Sequence, residues 1–348
     1  MSINRNNVFY PKTETRLSDS EILSLRDRYD RFDADIELSK ICQYVFHKKP
    51  IKYNKIIAWG LDHILYDVKL DDLRIVVRIN QTSVEDDYFE IEKYVYNKLI
   101  DLRIQECQVY HVEKRGNNFS YDFIILDKLM VGDFEKILQD GDYNSQEELK
   151  LVKASGSFLL KIHSVNTEKF GFFDISKLDK GLIGEKNSWE DYYLTAFDKN
   201  LATLVQSNYI DITKSQLIRT TVNNNKSLFA FTKPVLLHGD FCDHNIISNM
   251  TSISGAIDWT DAISGDPIHD IAFWSSFYPK ERLNIFLEGY YGSASQPKDF
   301  WDKLNIYRLR INVSKALLRH KYGIPERVPL AIQKIDECLD YFKIAPGK

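Results

Sequence analysis

The chain has 348 residues, 44% of them hydrophobic, and a formal net charge of -4. That length holds one large or two ordinary domains around a substantial core. Lys and Arg are scattered under a slightly negative balance, which excludes an electrostatic footprint for nucleic acid, and no apolar run approaches membrane-spanning length.

Cys42, Cys107, Cys242 and Cys338 lie far apart without Cys-x-x-Cys spacing, so neither a structural zinc site nor a disulfide framework is indicated and a reduced cytoplasm is expected. The opening MSINRNNVFYPKTETRL lacks the apolar core of an export signal and reads as polar, loosely ordered chain to about residue 17. Ser18 and Glu21 then make a capping box, and Ile22, Leu25, Tyr29 and Phe32 follow at helical spacing, predicting a helix docked on the body.

A β-rich segment comes next. Residues 55–59, 63–69 and 73–80 alternate as strands, with Asp71-Asp72 at a turn. Residues 85–102 predict a helix on which Tyr88, Glu92, Val95 and Leu99 share one face. Glu92 therefore interrupts a core-like stripe, and a carboxylate there requires a cation. Residues 106–113 and 119–126 pair around Gly116-Asn117-Asn118, completing about five strands.

From Gly132 the periodicity becomes helical. Ser145 with Glu148 caps a long helix carrying Leu149, Val152, Phe158, Leu159 and Ile162 and ending in Lys161-Ile162-His163-Ser164. Gly265-Asp266-Pro267 starts another helix, with Asp266 as its cap and Pro267 in its first turn. Asp266 and Asp270 are read as supports behind a site rather than as reacting groups. Helices near 280–291, 299–321 and 328–342 complete the chain.

The chemistry concentrates in His238-Gly239-Asp240-Phe241-Cys242-Asp243-His244-Asn245 and its sequel Ile257-Asp258-Trp259. Residues 235–237, 245–247 and 254–257 predict short strands, the last two joined by a polar turn over 248–252. A turn centred between Thr251 and Ser252 sets Ile246 opposite Ile257 and Asn245 opposite Asp258. An amide oxygen beside a carboxylate is a hard, oxygen-only pair of the sort Mg2+ accepts, and Asp240 feeds the same end as a prospective base. The spacing matches the kinase pattern His-x-Asp-x4-Asn followed by a metal-binding Asp.

HGDFCDHNII followed by GAIDWTDAISGDPIHDIAFW resembles the aminoglycoside phosphotransferase family, whose typical text is HGD-x4-N, IDW and GDP-x3-D. The resemblance runs from about Asp33 to about Tyr322, and Tyr307 to Ile311 is similar to the text of its hygromycin B phosphotransferases. It implies an α+β, bilobal, protein-kinase-like fold: a small antiparallel sheet lobe plus one helix over 33–127, a larger helical lobe with a catalytic hairpin over 128–348, and an N-terminal extension over 1–32. It implies ATP or GTP as phosphoryl donor with Mg2+, and transfer to a hydroxyl of a small molecule. Asp240 would be the base, Asn245 and Asp258 the metal ligands, and His238 a scaffold of the loop. Arg78 stands where the family has its phosphate-contacting Lys, with Glu92 as its ion-pair partner. Gly60 and His63 fall at the nucleotide-covering loop, and Asp127 and Leu129 at the linker whose backbone holds the adenine.

Asp243, Asp261 and Trp274 flank the site in sequence, and carboxylates with aromatic faces would suit a cationic sugar. A hygromycin-like antibiotic is the first acceptor to expect, with resistance as the role; choline or an amino sugar are others, since fold does not fix substrate. Two further readings stand beside these. His238, Asp240, Asp243 and His244 could form the metal cluster of a phosphohydrolase. The chain could also bind nucleotide without catalysis.

Overall fold

A computed structural model of the chain describes residues 5–10, 20, 27–56, 63–80, 88–129, 146–248 and 252–344. Residue 20 and 27–129 fall in one compact unit, and 5–10 with 146–344 in a second. Most of the helix expected after Ser18, the Gly60 loop and the Ser145 cap lie outside the described residues.

The first unit is built on β1 (Lys52–Ile56), β2 (His63–Lys69), β3 (Arg74–Asn80), β4 (Val109–Glu113) and β5 (Phe123–Asp127), an antiparallel sheet in the order β1-β2-β3-β5-β4. β2 and β3 run as a hairpin from Lys69 opposite Arg74 to His63 opposite Asn80. Ile64, Tyr66, Val68, Ile75, Val77 and Ile79 are buried, as the alternation of a covered sheet requires. They meet α1 (Ala34–Phe46), whose Leu38, Ile41 and Cys42 join the same core. Asp33 caps α1 by accepting from the Ile36 amide at 3.1 Å. α2 (Phe89–Asp101) buries Tyr88, Glu92, Val95 and Leu99. The sheet thus carries two helices, where one was expected. α1 went unread although Leu38, Ile41, Cys42 and Val45 recur at helical spacing along it.

The second unit is mostly helical. α3 (Gln146–Ile162) runs against α8 (Lys280–Tyr291). Gly156 and Gly289 permit this closeness: a Cβ on Gly156 would sit 2.1 Å from the Phe286 carbonyl oxygen, and one on Gly289 1.9 Å from that of Lys153. β6 (Phe170–Phe173), β7 (Gly184–Lys186), β8 (Val235–Leu237) and β11 (Ile263–Gly265) form a sheet in the order β7-β6-β11-β8, while β9 (Ile246–Ser248) pairs with β10 (Ile253–Ala256). α4 (Trp189–Tyr193), α5 (Phe197–Gln206) and α6 (Ile212–Asn224) precede the central strands. α7 (Ile268–Ser275), α9 (Phe300–Lys321) and α10 (Val328–Ile344) follow, with α9 packed on both α7 and α10.

Residues 5–10, expected to be loose, are docked on this unit. Val8 and Phe9 are each 4% exposed, the Arg310 guanidinium lies 4.0 Å over the Phe9 ring, and Tyr192 donates to the Phe9 carbonyl at 2.9 Å. Two buried apolar side chains contribute roughly 1.5–3 kcal/mol each, enough to hold a short segment down.

Candidate active site

The β8 strand delivers the loop His238–Asn245, and β9–β10 brings Asp258 back to the same end. The pairing sets Ala256 opposite Ile246, and the Ile257 amide donates to the Asn245 carbonyl at 2.9 Å. The expected register, with Asn245 opposite Asp258, is therefore off by one. At the turn end, Ile253 opposite Ser248 is two positions from the expected register, and an irregularity between Ile253 and Gly255 takes back one of them; Asp258 leaves the hairpin in a left-handed conformation with φ 65°. Asp258 still lies one residue beyond the partner of Asn245. Its Oδ1 accepts from the Thr260 hydroxyl at 2.7 Å, and the Thr260 carbonyl accepts from Arg5 at 2.9 Å.

Asn245 is buried, and its Nδ2 donates to the Asp240 carbonyl at 2.9 Å and to the Asp240 carboxylate at 3.2 Å. The amide's donor end is thereby committed to the loop, which leaves Oδ1 as the end that can ligate a cation. With the Asp258 carboxylate this is an all-oxygen donor set, which fits Mg2+. Asp240 itself is half-buried, so its carboxylate retains a face for a reacting group.

The loop's shape is imposed from below. Asp270 Oδ2 accepts from the His238 amide at 2.7 Å and Oδ1 from the Gly239 amide at 2.9 Å; Oδ2 also faces His163 Nε2 at 3.1 Å. Burial alone would raise the Asp270 pKa, but the His163 hydrogen bond and neighbouring imidazoles outweigh it, so the carboxyl lies below its ordinary value. Asp266 holds the next corner, accepting from the Ile268 amide, Lys303 Nζ and the Tyr307 hydroxyl, each at 3.0 Å. Gly239 has φ 80°, and a Cβ there would fall 1.9 Å from the Asp261 carbonyl oxygen.

His238 Nε2 lies 3.0 Å from the Ile257 carbonyl, an acceptor only, so that nitrogen carries the proton; Nδ1 then accepts from the Asp240 amide at 3.4 Å. Burial lowers the His238 pKa against the raising influence of Asp270 and Asp240. A neutral imidazole with both nitrogens engaged, tilted onto Trp259 at 4.5 Å, is built as a strut.

The acceptor-side expectations need correction. Asp243 is 1% exposed: it ion-pairs with Arg282 at 2.5 Å and accepts from Trp274 Nε1 at 3.2 Å. Trp274 is fully buried against Phe286, and Asp261 is 4% exposed beneath Gly239. All three are buried: Asp243 opens the 3-10 turn Asp243–Asn245 and meets Arg282, Trp274 lies on α7, and Asp261 ends the turn Trp259–Asp261 beneath Gly239. The phosphohydrolase cluster also dissolves, since His238 and Asp243 are turned into separate networks.

In the first unit, Arg78 sits mid-sheet opposite Leu65 and Ile124, and its guanidinium donates to Glu92, with Phe89 4.9 Å beneath. Both partners are buried, so each offsets the other's desolvation. His63 pairs with Asn80 at the end of β2 and lies 5.4 Å from Phe89. Asp127 is engaged within its own unit: its amide donates to the Gln108 carbonyl, and its carboxylate accepts from the Gln108 amide at 2.9 Å and the Tyr110 hydroxyl at 2.5 Å. It thus tethers β5 beside β4, and the backbone that could meet a base begins beyond it, at half-buried Leu129.

One residue beside the loop escaped sequence reasoning. Lys315 on α9 places Nζ 3.4 Å from the Phe277 centroid and 4.2 Å from that of Phe273, sealed from solvent and with no hydrogen-bond acceptor among the described residues. Burial lowers its pKa to about 7, against the raising influence of Asp240 and Cys242. Its only sequence signal is a lysine on the packed side of a helix some seventy residues from the loop.

A model of the phosphotransferase enzyme family matches residues 55–306. No curated protein matches. Among solved structures, a thermostable mutant of aminoglycoside phosphotransferase APH(4)-Ia in ternary complex with AMP-PNP and hygromycin B is similar at 18% identity and TM-score 0.66, over 87% of this chain and 98% of that one. Spectinomycin phosphotransferase APH(9)-Ia with ADP and spectinomycin is similar at 15% identity and TM-score 0.58, over 88% and 96%. A fructosamine-3-kinase assignment from Thermobifida fusca is similar at 13% and 0.58, over 85% and 98%. At these identities the solved structures show a shared protein-kinase-like fold, whereas the family model takes in well over half of the chain. The chain therefore belongs to the phosphotransferase enzyme family and is a small-molecule kinase.

Proposed function

We propose that the chain transfers the γ-phosphoryl group of ATP to a hydroxyl of a small molecule, a hygromycin-like aminoglycoside first among acceptors, and so confers resistance. The observation that carries the reading is the Asn245 side chain, which donates to the Asp240 carboxylate at 3.2 Å and the Asp240 carbonyl at 2.9 Å and so keeps its Oδ1 for a cation, with Asp258 one residue beyond its hairpin partner. Asp240 accepts the proton of the acceptor hydroxyl as the oxygen attacks phosphorus. Asn245 and Asp258 would hold Mg2+, which supplies positive charge to the phosphate oxygens. Arg78, kept in place by Glu92, binds nucleotide phosphate, and the backbone near Leu129 receives the base. Asp270 and His238 hold the loop so that Asp240 needs no rearrangement at the moment of reaction.

The acceptor class rests on the ligands named with the aminoglycoside phosphotransferases of the same fold. Choline, amino sugars and other hydroxyl metabolites are the competing acceptors. An ADP- and GDP-release screen across aminoglycosides, macrolides and amino alcohols tests both donor and acceptor. Asp240→Ala should retain ATP binding and lose roughly 100-fold or more in turnover. Near-normal turnover in that variant would remove Asp240 from the role, and phosphate release that needs no acceptor and survives Asn245→Ala would mark a hydrolase instead.

A further inference from the structure

Cys242 is buried with an extended backbone, φ -158° and ψ 166°, at the start of the 3-10 turn Asp243–Asn245, and its thiol donates to the Asp240 carbonyl at 3.2 Å, which brings Asp240, Cys242 and His244 together. One ligand-type atom from each of these three lies within 4.8 Å of the other two. Cys242 Sγ is 3.1 Å from His244 Nε2 and 3.4 Å from Nδ1. The sulfur is nearly equidistant from the two nitrogens and so lies over the ring face. Around a tetrahedral zinc with Zn–S of about 2.3 Å and Zn–N of about 2.05 Å the ligating pair would stand about 3.5 Å apart, so the His244 ring must turn to another rotamer to aim a nitrogen at the ion. Asp240 and His244 are half-exposed, which gives an ion an approach that the buried sulfur alone would lack.

We propose that Asp240, Cys242 and His244 form a binding site for a thiophilic divalent cation such as Zn2+, distinct in chemistry from the oxygen pair of Asn245 and Asp258. The thiol proton leaves to solvent as the metal–sulfur bond forms, and water completes the tetrahedron. An occupied site engages the Asp240 carboxylate, so the metal competes with the proton that Asp240 would accept. This inhibitory consequence rests on the phosphotransfer reading; the binding itself does not.

The two are separated by using Co2+ alone as the probe on the full chain, without nucleotide or acceptor. One equivalent should produce a thiolate-to-cobalt charge-transfer band in the near ultraviolet, which Zn2+ bleaches and millimolar Mg2+ does not. Cys242→Ser should abolish the band, and His244→Gln, at a half-exposed position less exposed to misfolding, should weaken cobalt binding about 10-fold or more. Zn2+ should inhibit the unsubstituted enzyme, and both variants should need at least about 10-fold more for the same inhibition. Absence of the band in the unsubstituted chain overturns the site. Equal Zn2+ inhibition of all three proteins overturns its link to Asp240.

Discussion

Replacing Lys315 by methionine should stabilise the protein, in a way that pH reveals. The lysine carries an ammonium sealed from solvent over two phenyl rings, with its pKa lowered from the ordinary 10.5 to about 7, chiefly by burial. At about 1.4 kcal/mol per pH unit, that lowering corresponds to roughly 5 kcal/mol of destabilisation once the amine is charged in both states, below pH 7. The ring faces return about 1–2 kcal/mol to the charged form, leaving about 3 kcal/mol. The sign follows from proton binding. Between the folded and unfolded pKa values the unfolded chain holds the extra proton, so stability contributed by this residue rises with pH. Methionine fills a similar volume without charge. Urea unfolding should therefore show Lys315→Met more stable by about 3 kcal/mol at pH 7, with the gap shrinking below about 1 kcal/mol by pH 10. A gap independent of pH, or a variant less stable at pH 7, would refute the reasoning.

Two other substitutions probe the frame of the loop. Gly239→Ala forces a side chain onto the Asp261 carbonyl at a φ of 80°, so the loop must move; a loss of about 2–3 kcal/mol in thermal unfolding and a fall in turnover of at least about 100-fold are expected, and an unperturbed enzyme would contradict the close approach. Arg282→Met strips the cation from Asp243 at 2.5 Å and Glu148 at 3.5 Å, which should cost about 3–5 kcal/mol at neutral pH. Burial already raises the Asp243 pKa against the pull of Arg282, so the deficit should grow as pH rises above about 4, and adding Asp243→Asn should recover part of it.

Much of the loop's chemistry was legible because it is local. The spacing of Asp240, Asn245 and Asp258 survives as a loop and a short hairpin, and alternation identified β2 and β3 without help from the rest of the chain. Glu92 betrayed itself as a charge in an apolar stripe, and Arg78 is the cation it meets. What failed was inference from proximity in sequence. Asp243 and Trp274 border the site along the chain yet face the interior, since the buried Arg282 draws the Asp243 carboxylate inward and the Trp274 indole donates to it.

By itself, the sequence determined the strands of the first sheet, the long helices after residue 280 and the spacing of the phosphotransfer motif, because periodicity and loop spacing act over a few residues. Tertiary structure alone decided the rest. The hairpin pairs one position away from the register its turn residues suggested, and Asp258 leaves it in a left-handed conformation. The N-terminal Arg5 reached 255 positions along the chain to the Thr260 carbonyl. α9 brought Lys315 beneath two rings beside the loop. Each of these depends on contacts between residues far apart in the chain, whose pairing follows from packing and not from any local pattern.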